Sequence, residues 1–131
     1  MRKRLVVALV SSLFVVSTPA IAEECGNRSG DSVYVMDCIA ERYKAADSEL
    51  NELYREAMKS LSDPAKKKLA DAQSAWLNYR DASLALITEI NRKTGSTGNV
   101  IIEEYRLALA RKRVAELRHT LEGSEANTAG R

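Results

Sequence analysis

The chain has 131 residues, with 20 Lys and Arg against 18 Asp and Glu, one histidine and two cysteines. It has no HExxH run, no phosphate-cradling glycine loop and no cysteine-histidine metal spacing. His119 falls near the end of the last helical pattern with no pocket-forming loops around it, so neither an enzyme nor a metal or cofactor site is expected.

Residues 1–22 read as an export signal. Arg2, Lys3 and Arg4 supply a positive start, and Leu5 to Val16 is apolar apart from Ser11 and Ser12. Ala20-Ile21-Ala22 then offers small residues at the two positions a signal peptidase reads, so cleavage after Ala22 is expected. The apolar run is too short for a membrane span, which needs ~20 residues. Glu23-Glu24 before Cys25 argues against a lipid-anchored cysteine. These features place the protein in the periplasm.

The leader holds three basic and no acidic residues, so the remaining 109 residues carry 17 basic against 18 acidic groups. At a net charge of −1, no general affinity for nucleic acid is expected. Cys25 and Cys38 lie in an oxidising compartment, and a disulfide between them is the default reading. Zinc is the poorer alternative, because structural sites want four Cys or His ligands.

Asp31-Ser32 is positioned to cap a first helix running to about Leu61. Along it Ile39, Tyr43, Ala46, Leu50, Leu53/Tyr54, Ala57 and Leu61 step by threes and fours, a stripe for a core. Asp63-Pro64 reads as an N-cap followed by proline at the first helical position. The second helix should run to about Lys93 through Leu69, Ala72, Trp76, Tyr79, Ser83, Ile87 and Ile90, with Leu77, Leu84 and Leu86 off that line. Gly95 to Asn99 reads as a flexible turn, and a third helix should span about Val100 to Leu121. Gly123 to Arg131 is small and polar and is expected to be disordered. No stretch alternates with period two. The fold class is therefore all-α: an antiparallel three-helix bundle over 23–122, its N-terminal arm tied by one disulfide.

The run Gln73-Ser-Ala-Trp76-Leu-Asn-Tyr79-Arg80-Asp81, with Leu50-Asn51-Glu-Leu-Tyr54 upstream, resembles the LprI-like lysozyme-inhibitor domain family. That family reads roughly C…C…LN..Y…Q..W..yRd, and Arg113 ahead of Glu116-Leu117 matches another of its recurrent positions. Its members often carry a second cysteine pair; here Ser83 stands at the first of those positions and no cysteine follows. The resemblance implies a small envelope domain that binds a protein, the specific version being steric blockage of a muramidase-type lysozyme. The competing classes are a non-catalytic envelope adaptor or structural module, and an immunity-type protein against another toxin.

The motif residues have a structural and a functional reading. Structurally, Trp76 is the central core residue, with Arg80 over it and paired with a carboxylate such as Asp47. Asn51 and Tyr54 then fix helix register at a seam. Functionally, the same row is a recognition platform, because aromatics and arginine dominate binding hot spots; the structural reading is preferred. Two further surfaces are candidate partner sites. Lys93, Ser96 and Thr97 in the turn offer donors to the two carboxylates of a lysozyme cleft. Glu49, Glu52 and Glu56 make an acidic face toward a basic lysozyme, although Arg42, Lys44 and Arg55 interleave. The basic runs Lys66–Lys68 and Arg111–Arg113 read as solvated surface and as a structural ion pair through Arg113. The sequence leaves the oligomeric state open.

Overall fold

The structure, a computed structural model, describes Cys25 and residues 32–128, with side chains as far as Gly123. The export signal and its cleavage after Ala22, the Asp31 cap and residues 129–131 lie outside the described residues. Three helices follow one another: α1 (Ser32–Ser60), α2 (Asp63–Ile90) and α3 (Gly95–Thr128). Among the described residues there is no strand.

The first helix follows its apolar stripe. Ile39, Ala46, Leu50 and Ala57 are its buried residues, and each belongs to the 3–4 series read from the sequence. They pack against α3 rather than against α2, the next helix in the chain. Ile39 and Ala46 share a cluster with Leu107 and Ala110, and Leu50 shares another with Val114 and Leu117. Residue numbers rise together along the two helices, so α1 and α3 run parallel, and α2 returns antiparallel between them. Each large apolar side chain in this interface contributes ~1.5–3 kcal/mol on burial, making the α1–α3 pair the main source of cohesion.

The Cys25–Cys38 disulfide is formed, with Cα atoms 5.8 Å apart. Cys25 is buried in the cluster of Ile39 and Leu107, so the bridge fastens the N-terminal arm to the α1–α3 interface. It constrains the unfolded chain by roughly 3 kcal/mol on the chain-entropy estimate.

The α1–α2 connection is two residues long. Ser62, extended at φ −64° and ψ 156°, is the N-cap, one residue earlier than the sequence suggested. Asp63 and Pro64 therefore both stand in the first turn, where a missing N–H costs nothing. The second helix ends at Ile90, and the third begins at Gly95 rather than near Val100. At its far end α3 continues past Leu121, through Thr128.

The second helix departs most from expectation. No residue in it is buried. Leu69 and Trp76 lean on the Leu50–Val114–Leu117 cluster, but Ala72, Tyr79 and Ile90, three members of its expected stripe, are exposed. The reason is partnership: α1 and α3 satisfy each other's apolar faces, and α2 adds only one shallow edge to that pair.

Candidate binding surfaces

A groove of about 340 Å³ opens between α1 and α2, walled by Asp47, Leu50, Asn51 and Tyr54 on one side and by Gln73, Trp76, Leu77 and Arg80 on the other. The recurrent LN..Y and Q..W..yR positions thus converge on one cleft. Leu50 forms its floor and is only 2% exposed. Trp76 is half-buried, with part of its ring against the core cluster and part lining the groove. Its place at the centre of the core is thereby corrected, because the helix that carries it sits at the edge.

Two guanidinium groups flank the indole. Arg80 lies 5.5 Å and Arg113 5.9 Å from the ring centroid, within the range of cation–π attraction. The Arg113 Nε–H donates to Gln73 Oε1 at 3.1 Å, and Nη1 lies 3.7 Å from a Glu116 oxygen. With its side chain 14% exposed, Arg113 is the polar link between α2 and α3. Arg80 pairs with its neighbour Asp81 at 2.8 Å, not with Asp47 across the groove. Asp47 instead accepts a bond from Asn51 Nδ2 at 3.2 Å within α1. Asn51 is exposed on the groove rim rather than in a closed seam. Both differences have one cause: the two helices stand apart where a seam would have brought these side chains together. Tyr54 is half-buried against the same cluster, and Tyr79 is 56% exposed, pointing away from it.

The α2–α3 turn is a second surface. Asn91 Nδ2 donates to Ile87 O at 2.8 Å, and Thr94 bonds Asn91 O through its amide at 3.0 Å and its hydroxyl at 2.7 Å. Gly95 adopts φ +61°, a left-handed conformation that glycine takes without steric cost. Gly98 is buried against this knot, where a Cβ would come 2.8 Å from Asn91 O and also meet Thr94 Oγ1. The connection is therefore the tight four-residue run 91–94, and Gly95 to Asn99, read from the sequence as a flexible turn, opens α3. Ser96 and Thr97 occupy the first turn of α3, and Arg92 through Thr97 are all exposed. Lys93, Ser96 and Thr97 stand together at one end of the bundle on a locked backbone. The signal for this was in the sequence: two glycines three residues apart fit a close backbone crossing as well as they fit flexibility.

The acidic face of α1 is largely compensated. Glu49 is ion-paired with Arg118 of α3. Glu56 bonds Lys59 at 2.7 Å, and that hydrogen bond, with the attraction of the Lys59 charge, holds its carboxyl below the usual value. Glu52 is exposed. The sequence reading did not anticipate Arg118, nor Arg106 stacking 5.7 Å over Tyr43 at the α1–α3 interface. Among the described residues no group of His, Cys, Asp or Glu is placed to hold a metal ion, and no helix is long and apolar enough to cross a membrane.

A disulfide-tied bundle with one aromatic-and-arginine groove and one rigid polar tip belongs to the class of small helical binding domains. Residues 25–117 match the family described as lysozyme inhibitor LprI, and the chain belongs to that family. An uncharacterized protein of Rhizobium meliloti (strain 1021) is 32% identical over 132 residues, covering 88% of this chain and 94% of its own length. No solved structure matches.

Proposed function

We propose that this domain is exported to the periplasm and inhibits a muramidase-type lysozyme by steric blockage, with the α2–α3 tip entering the substrate cleft. Membership of a lysozyme-inhibitor family supports the kind of partner. The observation that carries the mechanism is the locked tip, with Lys93, Ser96 and Thr97 exposed over a hydrogen-bonded turn. A lysozyme cleft depends on two carboxylates. One cation and two hydroxyls reach such groups as charge-assisted donors. Because the turn is already ordered, binding does not have to fix it.

The test is clearance of a peptidoglycan suspension by purified lysozyme. At near-stoichiometric ratio the domain slows clearance, and Ser96→Ala combined with Thr97→Ala weakens inhibition about tenfold, the effect of losing ~1.4 kcal/mol of binding. The melting temperature of that variant stays unchanged, because both side chains are exposed. Unimpeded clearance at a large excess of the domain, across lysozyme classes, removes this reading.

A second reading, an envelope adaptor or an immunity-type protein against another toxin, is favoured by the α1–α2 groove. Its Tyr54, Trp76 and Arg80 are of the residue types that anchor protein interfaces. Loss of inhibition on Arg80→Ala with the tip variant fully active would move the binding site to the groove.

A further inference from the structure

We propose that a pocket on the α1–α3 pair is the docking site for the chain's own acidic arm, Glu23-Glu24, which lies just outside the described residues. The pocket measures about 340 Å³. Cys25, Ile39 and Leu107, all buried, make its floor. Arg42 of α1 and Arg111 of α3, both half-buried, stand in its walls. Glu104 and Arg111, seven residues apart, mark one row of α3. Arg106 and Arg113 mark another, about 200° round the helix, and Arg113 is the residue that meets α2. The pocket therefore opens on the side of the α1–α3 seam that α2 leaves uncovered.

Connectivity and charge name the occupant. Cys25 is itself part of the floor, and its disulfide to Cys38 fixes where the chain enters. Glu24 and Glu23 therefore start within about 4 Å and 7 Å of that floor, the reach of one and two residues of backbone. A segment tethered so closely acts at an effective concentration on the order of mM, which favours it over a separate acidic molecule. The lining sets two guanidinium groups against one carboxylate, and the arm brings two carboxylates. Glu104 is exposed at the rim. It lies about 10 Å along the axis from Arg111, outside the i, i+3 and i, i+4 spacings that pair charges on a helix. A planar guanidinium takes a carboxylate through two parallel hydrogen bonds, the strongest such pairing in proteins. The arm then holds at two points, a covalent one at Cys25 and an ionic one beside it.

The test uses protein exported and processed by the cell, its intact mass showing both glutamates retained. In the Arg111→Lys variant a zero-length carbodiimide joins the introduced amine to Glu23 or Glu24, a link read by peptide mass spectrometry. Glu23→Gln with Glu24→Gln lowers the melting temperature by a few degrees, and Arg42→Gln with Arg111→Gln does the same. All four changes together lose little more than either pair, because both pairs remove one interaction. In 1 M salt the loss shrinks. Absence of a link between the arm and α3 in Arg111→Lys overturns the proposal. So do losses that add, or an exported chain whose mass lacks the two glutamates.

Discussion

Trp76 concentrates what one residue does here. Its ring is half-buried between the Leu50–Val114–Leu117 cluster and open groove, with Arg80 and Arg113 against it. Trp76→Ala should therefore cost about 2 kcal/mol in denaturant unfolding, below the ~3–5 kcal/mol typical of a fully enclosed aromatic. A loss at the top of that range would mean the groove is closed in solution. Gly98 makes a sharper case. In an open helix, alanine in place of glycine gains ~0.5–1 kcal/mol. Here the new methyl meets Asn91 O at 2.8 Å, and that atom is backbone. The crowding term for an overpacked site is ~1–3 kcal/mol, so Gly98→Ala should lower the melting temperature. A more stable variant would show that the Asn91–Thr94 turn yields easily.

At the scale of the element, the three helices were legible because a period of 3.6 leaves its mark whatever the partner is. Ile39, Ala46, Leu50 and Ala57 needed only something apolar opposite them, and the stripe they form is the buried one. What faces what was not legible. Stripe residues of α2 were assigned to a core that α1 and α3 had already filled with each other, so Tyr79 and Ile90 emerge into solvent. Pairing of Arg80 with Asp47 failed for the same reason, since it assumed a closed α1–α2 seam. The start of α3 was misjudged from composition: Gly95 to Asn99 is glycine-, serine- and threonine-rich, yet only Gly95 has the dihedral of a turn. An element with no buried residue should also open most readily. Native-state hydrogen exchange should find amides near the middle of α2 exchanging faster than those around Leu50 and Val114, and equal protection would mean that α2 is held more firmly than its contacts indicate.

For the whole molecule, the parallel α1–α3 pair is the frame and α2 is a strap that delivers its turn to one end. Charge at that end matters because the rest of the chain is nearly balanced. Glu49 and Glu56 are already engaged with Arg118 and Lys59, so the acidic face offers less long-range pull on a basic lysozyme than its sequence suggests. Attraction then rests chiefly on Lys93 and its neighbours meeting carboxylates at short range. Salt separates that case from a purely apolar fit. The Debye length falls from ~8 Å at 0.15 M to ~3 Å at 1 M, and steered association falls steeply over such a range. Inhibition should weaken by roughly tenfold or more across it, mostly through a slower on-rate. An inhibition constant indifferent to salt would sink the charge-led account of the tip while leaving a steric one.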